Sequence, residues 1–100
     1  MYAFAFDCEI AALQAQYGKH AGRSWNNAYP VVRDTLAKHG FTWVQGSVYH
    51  VDTDDMGVLV LALQDLIQLP WFPPSVRDIR AYRVEQWSDF TPVVKRAMPR

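Results

Sequence analysis

The chain has 100 residues, half of them hydrophobic, and its ten basic residues balance its ten acidic residues. This length predicts one domain covering residues 1–100, and the composition excludes an intrinsically disordered chain. Zero net charge excludes a bulk positive field, so any binding of nucleic acid has to come from local clusters of charge.

The first part of the chain predicts a strand followed by a helix. Residues 2–6 are aromatic or small and predict a strand that is apolar on both faces, with Asp7 at its C-terminal end. Residues 9–17 carry a helical pattern that we expect to end at Gly18. The polar residues 18–23 then predict a loop.

The middle of the chain predicts a second helical segment and a hairpin. Ser24 is a candidate cap for this helix, and Pro30 predicts either a kink or the first residue of the helix. Gly40 ends the helical pattern. Residues 41–45 and 47–51 then predict two short strands on either side of a glycine.

The last part of the chain predicts a helix, a loop and a strand. Thr53 is a candidate cap for a buried helix over residues 56–69, although the apolar run within it also fits a buried strand. Residues 69–74 contain three prolines and predict a loop. Residues 75–85 predict a strand rich in arginine, and a capped turn follows from Ser88.

The order of these elements predicts the fold. Strand, helix, strand, strand, helix, strand is the α+β, ferredoxin-like βαββαβ sandwich, with an antiparallel sheet and helices on one face. The second face of the first strand is also apolar and needs a cover. We therefore expect a homodimer that forms through the open face of the sheet.

Asp7 is the first candidate for a functional residue. A carboxylate at the end of a central strand can bind a divalent ion, or it can orient an attacking 2′-hydroxyl group or water. It can also cap the helix that follows, and its position in the sequence favours that structural role.

The arginine-rich strand is the second candidate. Arg77 and Arg80 alternate with Asp78 and Tyr82, and a period of two puts residues 78, 80 and 82 on one face and Arg77 on the other. Arginines next to an aromatic ring can hold phosphates and stack on bases. A ladder of arginines and aspartates that holds a dimer together is an equally good interpretation.

The predicted hairpin supplies a third group of candidates. Ser47 can hydrogen-bond a phosphate, and Tyr49 or His50 can stack on a base or act as an acid or base, although a lone histidine in a strand is more often structural. Cys8 lies in an apolar context, so we expect it to be a packing residue rather than a nucleophile. With one cysteine, no signal peptide and no long apolar run, we expect a cytoplasmic protein without membrane association.

Four segments of the sequence carry a family resemblance. They are MYAFAFDCE, AYPVVRDTL, FTWVQGSVY and SVRDIRAYRVEQWSDFT. Together they resemble the virulence-associated protein D (VapD) family, which is related to the small nucleases of CRISPR adaptation complexes. The resemblance implies a ferredoxin-like homodimer that acts as an endoribonuclease on single-stranded RNA or mRNA. Some members are toxins, which implies a small antitoxin protein as a further partner.

The resemblance also implies site residues, with Asp7, Ser47 and Asp78 in the catalytic positions. Our leading hypothesis is RNA cleavage at the dimer interface, where Asp7 orients the nucleophile directly or through Mg²⁺. Arg77, Arg80 and Tyr49 would bind the RNA. No other cofactor is expected. The alternatives are a dimeric scaffold without catalysis, which the neutral charge favours, and an interaction protein held by an antitoxin.

Overall fold

The computed structural model describes residues 1–22 and 24–99, which form four strands and four helices. In chain order these are β1 (Tyr2–Cys8), α1 (Ile10–Ala21), α2 (Ala28–Ala37), β2 (Thr42–Gln45), β3 (Val48–Val51), α3 (Met56–Gln68), β4 (Val76–Arg83) and α4 (Thr91–Lys95). Short 3-10 turns precede α2 and β4, at Trp25–Asn27 and Pro73–Ser75.

The sheet confirms the predicted ferredoxin-like fold. Its strand order is β2-β3-β1-β4, and each neighbouring pair is antiparallel. The connection from β1 to β2 contains the helices α1 and α2, and the connection from β3 to β4 contains α3. Each connection joins two strands that have one other strand between them in the sheet. This arrangement places β1 in the middle of the sheet, between β3 and β4.

The helix α1 is longer than predicted. We expected it to end at Gly18, but it continues to Ala21 and ends at Gly22, whose φ of 64° is the left-handed conformation that glycine adopts without strain. Gly18 is tolerated inside the helix because burial of Leu13 and Tyr17 outweighs its weak helix propensity. Residues 18–21 are therefore helical, and Arg23 of the predicted loop lies outside the described residues.

Pro30 does not kink α2 and is not its first residue. It is the third residue of the helix, in the first turn, where a backbone N–H would have no partner within the helix. Ser24 does not cap this helix, because its hydroxyl donates a hydrogen bond to Asn26 Oδ1 at 2.6 Å inside the preceding turn.

One face of the sheet carries the hydrophobic core. The buried sheet residues other than Ala3 point to this face and pack with side chains from the three long helices. The set comprises Phe4, Phe6, Tyr49 and Val51 from the sheet and Leu13, Tyr17, Val32, Leu36, Leu59 and Leu66 from α1, α2 and α3. Helices thus cover one face, as predicted, and the face bearing Ala3, Ala5 and Asp7 is the open face of the sheet.

The helix α3 begins with a cap from Asp55 rather than from Thr53. The Asp55 carboxylate accepts a hydrogen bond from the Gly57 backbone N–H at 2.8 Å, while the Thr53 hydroxyl accepts from the Asp55 N–H at 3.1 Å. Two successive side-chain contacts thus form the turn that leads into the helix. The apolar segment that also fitted a buried strand is therefore a helix.

Replacing this cap tests its contribution to stability. We expect Asp55→Ala to lower the free energy of unfolding by about 1 kcal/mol, because one N–H at the start of α3 loses its acceptor. Asp52→Ala is the matched control, since Asp52 is exposed just before the same turn, and we expect a change within about 0.5 kcal/mol. Urea unfolding measures both, and equal losses in the two variants would contradict the assignment of the cap.

The chain after β4 forms an arm over residues 84–99. It contains the five-residue helix α4, and almost all of its residues are exposed. The arm crosses the open face of the sheet, where the Trp87 ring packs 5.9 Å from the His50 ring. A groove of about 610 Å³ separates the arm from β2, with Val44, Trp87, Phe90 and Val94 among its lining residues.

Candidate functional site

The C-terminal end of β1 brings two carboxylates to the open face. Asp7 lies directly opposite Asp78 in the β1–β4 register. Alternation along each strand directs both away from the buried Phe6 and the half-buried Ile79. Like charges directly opposite one another destabilise a sheet. Each carboxylate has an arginine beside it, which offsets this repulsion.

A β-bulge in β4 changes the direction in which the Arg77 side chain points. Asp7 pairs with Asp78 and Cys8 pairs with Val76, so Arg77 has no partner residue on β1. By simple alternation we predicted Arg77 on the face opposite to Asp78. The bulge instead lets its Nη1 reach Asp7 Oδ2 at 3.6 Å, and it turns Val76 toward the core.

Arg80 neutralises the second carboxylate. Its Nε donates to both oxygens of Asp78, at 3.2 and 3.1 Å. The two residues share a face of β4, as predicted, and that face is the open one. Asp7 and Arg77 are each 63% exposed. Exposed ion pairs of this kind contribute about 0–1 kcal/mol, so an incoming phosphate can replace either carboxylate as the partner of its arginine.

Ser47 lies at the same end of the sheet as Asp7. The carbonyl oxygen of Ser47 accepts a hydrogen bond from the Phe6 N–H at 3.1 Å, which fixes the β2–β3 turn beside the end of β1. Gly46 precedes it with a φ of 50°, the left-handed conformation that this tight turn requires. The structure thus brings Asp7, Asp78, Arg77 and Arg80 together on the open face. It places Ser47 in the turn at the same end of the sheet, with its backbone and not its side chain bonded to β1.

Tyr49 is not part of this group. Its side chain is 2% exposed and stacks against Phe6 in the core, so the prediction that it binds RNA is wrong. The reason is its parity in β3: Tyr49 and Val51 point to the helices, and Val48 and His50 to the open face. His50 lies on that face beneath Trp87, and within the described residues its Nδ1 atom has no hydrogen-bond partner.

Cys8 and Tyr29 lie close to the carboxylates. Burial and the negative charge of Asp7 raise the pKa of the Cys8 thiol, which therefore stays protonated at neutral pH and is a poor nucleophile. Burial, with nearby Cys8 and Asp7, also raises the pKa of the Tyr29 phenol. Sequence reasoning missed Tyr29 because it lies 22 positions after Asp7 in a different element, and no local pattern marks it.

The carboxylates meet only a minimal requirement for a metal. Within residues 1–22 and 24–99 there is no group of three or more His, Cys, Asp or Glu side chains that could hold an ion. Magnesium, however, is often bound through one or two carboxylates, with water and substrate phosphates completing its shell. Asp7 and Asp78 fit that mode of binding.

Comparison with known proteins identifies the family. The chain is 47% identical to endoribonuclease VapD of Dichelobacter nodosus, over 97% of this chain and 100% of that protein. The chain belongs to the VapD family. An endoribonuclease VapD homolog of Neisseria gonorrhoeae is 48% identical over 95% of this chain and 99% of its own length. Endoribonuclease VapD of Helicobacter pylori is 44% identical over the same shares of the two chains.

No protein-family profile matches the sequence, so the assignment to the VapD family rests on these individual relatives. Within residues 1–22 and 24–99, none of the helices has both the length and the apolar character needed to cross a bilayer.

Proposed function

We propose that this member of the VapD family is an endoribonuclease that cleaves single-stranded RNA in the cytoplasm. The observation that carries the proposal is the cluster of two carboxylates and two arginines on the open face, in a chain whose full-length relatives are named endoribonucleases. Arginines suit the backbone phosphates of RNA, and a carboxylate suits the proton of the attacking group.

In the proposed reaction, Asp7 accepts the proton of the nucleophile while the arginines hold the phosphate. If the nucleophile is the adjacent 2′-hydroxyl, its oxygen bonds to phosphorus as its proton passes to Asp7. The bond from phosphorus to the 5′ oxygen breaks, and that oxygen takes a proton from water. The products are then a cyclic phosphate and a 5′-hydroxyl. Arg77 and Arg80 stabilise the charge that develops on the phosphate oxygens, and Ser47 positions that group.

A bound Mg²⁺ would supply further neutralisation of the phosphate charge, and Asp7 with Asp78 would hold it. Asp7 can orient the nucleophile with or without this ion. The two forms of the proposal differ in their dependence on a chelator, which the following experiment measures.

Incubating the purified protein with end-labelled single-stranded RNA, with and without EDTA, tests the function and the metal together. We expect cleavage without EDTA, because the site offers both a base and phosphate ligands. Complete loss of cleavage in EDTA that added Mg²⁺ reverses would assign the ion to the reaction, and undiminished cleavage would exclude a required metal. RNA that stays intact in all conditions would overturn the proposed activity.

We further propose that the active form is a homodimer, with the second copy on the open face and its own Asp7 lining the shared cleft. Two observations support a missing partner. The Cα radius of gyration is 15.5 Å, whereas a compact domain of this length has roughly 13 Å. The arm also exposes Phe90 and Val94, at 66% and 68%, on a helix far too short to be stable alone.

A second candidate function is protein binding, either as a scaffold or as a toxin held by an antitoxin. The exposed side of α3 favours it, since Met56, Val60 and Ile67 form an apolar stripe at helical spacing. Binding of RNA without cleavage in the experiment above would favour this candidate over the nuclease.

A further inference from the structure

A second group of charged and aromatic side chains lies outside the carboxylate cluster, which consists of Asp7, Asp78, Arg77 and Arg80. The guanidinium of Arg33 in α2 lies over the Trp43 ring of β2, 4.2 Å from its centroid. Trp43 also donates a hydrogen bond from its indole N–H to the Gly46 carbonyl oxygen at 2.8 Å. These two contacts hold the ring in one orientation although its side chain is 46% exposed.

The charge of Arg33 is not neutralised by an acidic partner. Within the described residues, none of the five ion pairs includes Arg33. Its other close neighbour is the Tyr49 phenol, whose pKa is raised by burial and partly brought down again by the hydrogen bond and positive charge of Arg33. An exposed guanidinium that is held by rings and lacks a carboxylate is suited to an external anion.

The turn between β2 and β3 links this pair to the carboxylate cluster. Trp43 bonds to Gly46, the next residue is Ser47, and the Ser47 carbonyl accepts from Phe6, next to Asp7. From strand spacing and rise, Trp43 and Asp7 are roughly 10–15 Å apart. A single strand of RNA a few nucleotides long spans that distance around the edge of the sheet.

We propose that Arg33 and Trp43 form a second RNA-binding subsite, in which an unpaired base stacks on the exposed ring and guanidinium plane while Arg33 neutralises its phosphate. Such stacking accepts any base, because every base has a π-face. The inference rests on RNA being the substrate, and it extends the contact surface from the cleavage site to the β2 edge.

Binding of a short single-stranded RNA with 2′-O-methyl groups, which removes the attacking hydroxyl, tests the subsite by fluorescence anisotropy. We expect Trp43→Ala to weaken binding about tenfold or more through lost stacking. Trp43→Phe should weaken RNA binding less, because phenylalanine keeps an aromatic ring and the packing of the β2 edge. We expect Arg33→Gln to weaken binding by a similar factor. The slope of the logarithm of the binding constant against the logarithm of the salt concentration should become shallower by about 0.7, the value for one lost phosphate contact on a single strand.

Lys38→Gln is the matched control, because Lys38 follows in the same helical segment, carries the same charge and is exposed. It should bind RNA within about twofold of the wild type. Arg33→Lys should retain the salt slope and still bind more weakly, since lysine lacks the planar group. Unchanged binding by Arg33→Gln and Trp43→Phe, or an equal loss in Lys38→Gln, would overturn the subsite.

The result separates this inference from the proposed nuclease. Wild-type cleavage with unaltered binding in the Arg33 and Trp43 variants rejects the subsite alone. Neither cleavage nor binding of RNA by the wild type rejects both.

Discussion

Asp7→Asn should reduce RNA cleavage by at least about 100-fold, the usual contribution of a positioned base. The amide has nearly the shape of the carboxylate but cannot take the proton of the nucleophile. The fold should survive, because the contact between Asp7 and Arg77 is an exposed pair at 3.6 Å, worth about 0–1 kcal/mol. Initial rates on labelled RNA, together with circular dichroism, measure the two effects separately.

Asp52→Asn is the control for this change, since Asp52 is exposed beyond the end of β3 and lies outside the carboxylate cluster. It should cleave RNA at the wild-type rate. If Asp7→Asn also cleaves at that rate while remaining folded, Asp7 has no part in the reaction, and Asp78 becomes the residue to replace next.

Replacing both Phe90 and Val94 with serine should break the dimer. Both side chains are exposed in the single chain and become buried in the proposed interface, where a few buried anchors carry most of the binding energy. We therefore expect the dissociation constant of the dimer to rise at least about 100-fold. Cleavage should fall with it at protein concentrations where the variant is a monomer, because the proposed cleft contains Asp7 from both copies. Sedimentation equilibrium gives the dissociation constant, and rates at several concentrations give the activity.

Met56→Ser with Val60→Ser is the matched control. It removes two exposed apolar side chains of α3, which lie on the helix side of the molecule rather than on the open face. This variant should dimerise and cleave RNA as the wild type does. A wild-type chain that cleaves RNA fully as a monomer would exclude the shared cleft, and dissociation caused by the α3 variant would move the interface to the helices.

The fold was largely predictable from the sequence, because its elements follow strong local patterns. Turn residues mark the hairpin at Gly46, and the alternating run of residues 75–85 marks the last strand. The error at Gly18 arose because a glycine signals a helix end only when the surrounding packing does not continue the helix. Here Tyr17 is buried one residue earlier, and the contacts of α1 with the rest of the core extend the helix past the glycine.

The site was predictable in part. Asp7 and Asp78 face each other because the split arrangement makes the first and last strands neighbours, and this topology follows from the order of elements. The bulge at Arg77 has no such signal, since no glycine or proline stands beside it in β4. It depends on which register lets Val76 reach the core.

The environments of Tyr49 and Trp43 differ in how far the sequence predicts them. In the β3 segment VYHV, the pair Tyr49 and Val51 is the more apolar one, so the burial of Tyr49 was readable from the sequence. The exposure of Trp43 was not, because it depends on β2 being an edge strand and on Arg33, ten positions away, lying over its ring.

The position of β1 between β3 and β4 has a consequence for synthesis. The first strand made is also the one that needs the last strand as its neighbour, since Tyr2 pairs with Arg83. A nascent chain therefore cannot complete this sheet until the residues of β4 have left the ribosome, and contacts so distant along the chain form slowly. Asp7 meets Arg77 only at that stage, so a nascent chain that still lacks β4 carries no assembled cluster of carboxylates and arginines.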